Sequence, residues 1–161
     1  MIAGNKSVMK GVQLLKNYSS ENIGYLLNKS SRSLKWQLNK SLEKYNITSS
    51  QWSVLKDLSF LGDENRVQGA TPAAIANRLN MDRATMSGVI NRLAKSGWII
   101  TETNPEDKRS QIINLTDKSK KILSELEELS DEILIQALKE FKFEEIDTLK
   151  GFLIRIIDNL S

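Results

Sequence analysis

Residues 71–97 read TPAAIANRLNMDRATMSGVINRLAKSG, and the fold follows from this stretch. Thr71-Pro72 marks a helix start, because the Thr hydroxyl can take an orphan amide and Pro at the first helical position gives up an amide that would be unbonded anyway. Ile75, Ala76 and Leu79 supply the apolar side of that short helix. Asn80-Met81 forms a turn. Asp82 then caps a second helix, in which Met86, Val89, Ile90 and Leu93 stand at i, i+3, i+4 and i+7. Gly97 falls just past its end, where left-handed backbone is wanted. Two short capped helices joined by a tight turn predict a helix-turn-helix.

Downstream lies the one convincing sheet signal. Trp98-Ile99-Ile100-Thr101-Glu102-Thr103 and Gln111-Ile112-Ile113-Asn114 are rich in β-branched residues, and Asn104-Pro105-Glu106-Asp107 between them reads as a type I turn. The expectation is a hairpin packed directly after the second helix, which makes the motif a winged helix-turn-helix. Thr116 caps a further helix with Ile122, Leu126, Leu129 and Ile133 in line. A last helix carries Ile146, Leu149, Leu153, Ile156 and Leu160 at the alternating steps of a coiled-coil seam.

Upstream, Ile23, Leu27, Leu34, Leu38, Leu42 and Tyr45 fall at helical spacing, predicting a long helix from Asn22 to about Asn46. Thr48-Ser49-Ser50-Gln51 is a capping box that opens a helix with Trp52, Leu55 and Leu58 inward and an end near Gly62. Residues 62–70 read as a polar loop with Arg66-Val67-Gln68 forming at most a short strand, and residues 1–19 lack periodicity. The organisation is a mainly α single domain over 1–161: a winged lobe at 48–115, and helical dimerisation regions at 20–46 and 116–161.

The 161 residues contain no Cys and no His. Disulfides, thiolate metal sites and Ser-His or Cys-His nucleophile pairs are therefore excluded, and no cofactor or metal is expected. Lys6, Lys10 and Lys16 interrupt any signal-peptide core, and no apolar run is long enough to span a bilayer, so a cytoplasmic protein without membrane contact is expected. The net charge of +3 is unevenly spread: residues 1–46 hold eight basic and two acidic side chains, residues 111–161 seven and eleven.

The second helix of the motif divides by chemistry. With Met86, Val89, Ile90 and Leu93 inward, its other side carries Arg83, Ala84, Thr85, Ser87, Gly88, Asn91, Arg92 and Lys95, with no carboxylate between Arg83 and Ser96. A solvated helix face usually mixes both signs, whereas DNA repels acids and admits a helix into its major groove. Thr85, Ser87 and Asn91 are candidate contacts to bases or phosphates, and Arg83, Arg92 and Lys108 candidate phosphate contacts, with Lys95 on the same face. Thr71 can offer a helix N-terminus to a phosphate, although capping alone explains it.

At these residues the chain resembles the MarR family, the multiple antibiotic resistance regulators. The resemblance rests on Gln51-Trp52-Ser53-Val54-Leu55, Thr71-Pro72 with Ile75-Ala76, Asp82 to Met86, Asn91 to Gly97, and above all Asn104-Pro105-Glu106-Asp107-Lys108-Arg109-Ser110 followed by Leu115-Thr116. It implies a homodimer in which the first, fifth and sixth helices interleave, binding a pseudo-palindromic operator in double-stranded DNA. It further implies a repressor released by a small, often aromatic, effector. Carried over, Arg109 is the wing arginine that enters the minor groove, with Asp107 holding its guanidinium; a two-residue Asp-x-Arg spacing and the concentrated negative potential of a narrow groove fit that role. The chain departs from the pattern at Thr101 and Glu102, where a basic residue is frequent, and at Gly88, where a longer side chain is frequent.

Trp36 and Trp52 are candidates for an effector pocket, although tryptophans at helical spacing usually serve a core. The acidic runs Glu125, Glu127, Glu128 and Glu144, Glu145, Asp147 read as solvated faces rather than metal sites. The competing functions are a protein-interaction module with incidental basic patches and an enzyme with paired carboxylates; no loop offers two acids with an oxyanion partner.

Overall fold

The computed structural model describes residues 22–61 and 70–160. Helix α1 spans Ile23–Leu42 and runs into a 3-10 turn, Glu43–Tyr45. There follow α2 (Ser49–Phe60), α3 (Pro72–Arg78), α4 (Arg83–Lys95), strands β1 (Ile99–Thr103) and β2 (Gln111–Leu115), α5 (Asp117–Ala137) and α6 (Phe143–Asp158). The expectations for residues 1–19 and 62–69 lie outside the described residues.

Each helix boundary has a local cause. The capping box is present in full: Thr48 Oγ1 accepts the Gln51 amide at 3.3 Å while Gln51 Oε1 accepts the Thr48 amide at 2.8 Å. Thr71, Asp82 and Thr116 each accept an amide three residues on, at the starts of α3, α4 and α5. Helix α4 ends in a Schellman motif. Gly97 takes φ +72°, its amide bonds Ala94 O at 3.0 Å, and the Trp98 amide reaches back to Leu93 O at 2.9 Å. Asn80, at φ 48°, closes α3 in the same manner, so the turn between the two helices is a helix stop followed at once by a cap.

The chain divides into two compact units, residues 1–37 and 38–161. In the larger, Leu42, Trp52, Val54, Leu55, Leu58, Ile75, Met86, Val89, Leu93, Ile99, Ile113 and Leu126 join one buried cluster drawn from every element but α6. The strands pair antiparallel with Ile99 opposite Leu115 and Thr103 opposite Gln111. The Ile113 amide also bonds Ala70 O at 3.0 Å, which ties the entrance of α3 to the hairpin. A two-pronged Arg78–Asp57 ion pair, at 2.8 and 2.7 Å, joins α3 to α2.

Two apolar faces expected to serve as dimer seams lie open in the single chain. In the smaller unit Ile23 and Leu27 are exposed, and the one buried residue of α1 is Leu42, in the larger unit. Helix α6 has no buried residue at all. In both places helical periodicity is correct, and no surface among the described residues closes over the apolar side.

Candidate nucleic-acid interface

Helix α4 is oriented by its four apolar residues, all no more than 5 % exposed: Met86, Val89, Ile90 and Leu93. Burying that side turns Arg83, Ala84, Thr85, Ser87, Asn91, Arg92 and Lys95 outward, all exposed. The nearest carboxylate along the sequence is the cap, and it is occupied: Asp82 accepts both the Thr85 amide (2.8 Å) and the Thr85 hydroxyl (2.6 Å). These bonds, the hydroxyl first and the amide second, hold the Asp82 carboxyl below its ordinary pKa. The Thr85 hydroxyl is thereby pinned against the cap and keeps its acceptor lone pairs for an incoming donor. Thr71 is likewise committed to capping, its oxygen 3.3 Å from the Ala74 amide.

The far end of α4 is clamped by the start of α5. Thr116 Oγ1 donates toward Gly97 O (2.9 Å) and Trp98 O (3.2 Å), while Lys118 Nζ donates to Ser96 O at 2.9 Å and lies 3.9 Å from the centre of the Trp98 ring. A cation at a helix C-terminus is favoured by the unpaired carbonyls there. Sequence reading missed Lys118, because its partners stand some twenty residues away and leave no periodic trace.

The hairpin forms as expected, but its tip is built differently. Asn104 is buried and its side-chain oxygen takes the Glu106 amide at 2.9 Å, bending the chain after β1. The hydrogen-bonded turn is at Asp107–Ser110, with the Ser110 amide on Asp107 O at 2.8 Å, rather than at 104–107. Lys108 and Arg109 are thus its two central residues, both exposed at the point of the wing. Asp107 also differs from expectation: its carboxylate accepts the Arg109 backbone amide at 3.0 Å and not the guanidinium. A short acid reaches the amide two residues on without ordering a long side chain, so the local bond wins. Asp107 therefore shapes the turn, and Arg109's guanidinium is left without a hydrogen-bond or ion-pair partner among the described residues. Glu102, the departure on β1, is engaged across the strands by Asn114 Nδ2 at 3.1 Å.

The two tryptophans part company. Trp52 is 2 % exposed inside the core and offers an effector no face; Trp36 is 61 % exposed, on the same side of α1 as Tyr25, Lys29 and Arg32. Among the described residues no acidic cluster could hold a metal ion, and no helix is long and apolar enough to cross a membrane.

A capped helix with an acid-free outer face, held at its C-terminus and flanked by a hairpin with a cationic tip, defines a winged helix-turn-helix protein. Residues 47–111 match the MarR family. The chain is 30% identical over 129 residues to the uncharacterized HTH-type transcriptional regulator YwoH of Bacillus subtilis, covering 80% of this chain and 82% of that one. It is 32% identical over 121 residues to the HTH-type transcriptional regulator MgrA of Staphylococcus aureus, covering 74% and 78%. Among solved structures, S. aureus MepR in its DNA complex superposes with a TM-score of 0.77 at 24% identity, over 84% of this chain and 96% of that one. A mutant MarR from E. coli, complexed with operator DNA, gives 0.72 at 24% identity, over 83% and 92%. The chain belongs to the MarR family. It is a DNA-binding transcriptional regulator and not an enzyme.

Proposed function

We propose that this regulator is an operator-binding repressor that acts as a homodimer. Helix α4 enters the major groove, where Ser87 and Asn91 meet base edges or phosphates, Thr85 accepts from a base amino group, and Arg83, Lys95 and Lys108 neutralise phosphates. Arg109 enters the adjacent minor groove, whose negative potential suits an unpaired guanidinium. The observation that carries this reading is the conjunction of an exposed α4 face without acids and a wing whose tip is Lys108-Arg109. The winged lobe, 48–115, does the binding, and the flanking helical regions, 20–46 and 116–161, do the pairing. The cytoplasm is the compartment in which such a protein meets its operator.

Pairing is supported by α6. Phe152, Leu153, Ile154, Ile156 and Ile157 are between 37% and 62% exposed, an apolar surface of the kind soluble monomers rarely leave open. A two-fold dimer would place its lobes on a pseudo-palindrome. Release by a small aromatic effector completes the proposal, with exposed Trp36 as a candidate contact.

Enrichment of bound fragments from random duplex DNA, followed by gel shifts across a salt series, tests the reading. A pseudo-palindromic site should emerge, and a dimer making six to ten phosphate contacts should lose about 10³–10⁵ in affinity between 50 and 200 mM salt. No enrichment together with a flat salt response would favour a protein-interaction module instead. Release of the operator complex by members of an aromatic compound library tests the effector.

A further inference from the structure

Gly88 stands in the interior of α4, where glycine lowers helix stability relative to alanine. No positive φ calls for it; among the described residues the glycine with that backbone is Gly97. Nor does the core, because at 3.6 residues per turn position 88 lies on the side away from Met86, Val89, Ile90 and Leu93. Apart from the helix's own backbone, the three atoms nearest to the place a Cβ would take all belong to the Arg92 guanidinium: Nη1 at 3.5 Å, Nη2 at 3.7 Å and Cζ at 3.9 Å.

Long helical side chains lean back over the preceding turn, and Arg92 does so here. Its flat fork therefore covers bare backbone at the centre of the outward face, closer to the helix end whose residues meet base edges in helix-turn-helix complexes. We infer that Gly88 is a specificity-determining position: by carrying no side chain it lets Arg92 lay its guanidinium across the middle of the face, where the fork reads a guanine edge in the major groove. Two parallel donors match guanine O6 and N7. This sharpens the phosphate contact that the sequence assigns to Arg92, and it rests on the operator-binding reading above.

The test compares Gly88→Ala, Gly88→Leu, Gly88→Gln, Arg92→Ala and the double variant Gly88→Leu/Arg92→Ala. Each is measured for affinity to the enriched operator and to random-sequence duplex at one salt concentration, with the melting temperature as a check on folding. Alanine fits, since 3.5 Å is ordinary contact; it should raise the melting temperature and leave operator affinity within about threefold. Leucine and glutamine displace the fork, so operator affinity should fall by roughly tenfold to a hundredfold while random-duplex affinity stays within about threefold. The double variant should bind the operator no worse than Arg92→Ala, because both changes remove one contact.

Long side chains at 88 that preserve operator discrimination would overturn the inference. So would losses that add in the double variant, or an alanine variant as impaired as leucine; either would mean that DNA itself needs the space. If the unmodified protein enriches no sequence, the operator reading falls and this inference with it; if it does and long residues at 88 are tolerated, this inference alone falls.

Discussion

Helices α4 and α6 are both amphipathic, yet their apolar sides end differently. The apolar side of α4 is closed over by α2, α3 and the hairpin's first strand, and what remains outside is polar and free of acids. In α6 no residue is buried, and its Phe, Leu and Ile side chains stay outside along with its charged ones. One helix is completed by its own chain and is left with a surface suited to a polyanion; the other is left with a surface suited to hydrocarbon. The same periodicity thus marks a finished element in one place and an unfinished one in the other, and burial, not pattern, separates them.

The largest effect should come from the unfinished helix. Leu153→Asp would place two new charges in the proposed two-fold interface, one from each copy, and should weaken association by at least about a hundredfold by sedimentation. A parent protein sedimenting at 18.2 kDa at micromolar concentration would remove the basis of the comparison. In the finished helix, Leu93→Ala empties a fully buried site and should cost about 2–5 kcal/mol in chemical denaturation. Thr116→Ala removes the cap of α5 together with its bonds to Gly97 O and Trp98 O, and should cost about 1 kcal/mol.

The smallest effect is a pH dependence. The Asp82 carboxyl is held below its unfolded value of 3.8, so its contribution is complete above that value and is lost as pH falls through the depressed folded value. Asp82→Asn keeps a capping oxygen without a titrating proton. Its acid denaturation profile should lack that component of the fall; an unchanged profile would deny the cap its role.

Much of the lobe was legible because its signals are local. Thr71-Pro72, Asp82 and Gly97 act within a turn of themselves, and a cap or a left-handed stop works the same way in any fold. The wing was legible as two strands but not as a tip. Asn104 and Asp107 compete for nearby amides with their side chains, which moved the hydrogen-bonded turn to 107–110 and took Asp107 away from the Arg109 guanidinium. Lys118 was illegible because its partners are brought to it by the hairpin. The apolar stripes of α1 and α6 were legible as seams awaiting a second copy, because their spacing repeats every three and four residues; that α6 keeps no residue buried against its own chain took the structure to show.

The central claim is that α4 and the wing occupy two grooves of the duplex at once. Dimethyl sulfate protection reports guanine N7 in the major groove and adenine N3 in the minor groove in one experiment. On the enriched site it should show two major-groove patches about 34 Å apart, each beside a minor-groove patch that disappears with Arg109→Ala while the major-groove pattern persists. Protection confined to one groove, or a minor-groove pattern indifferent to Arg109, would contradict it.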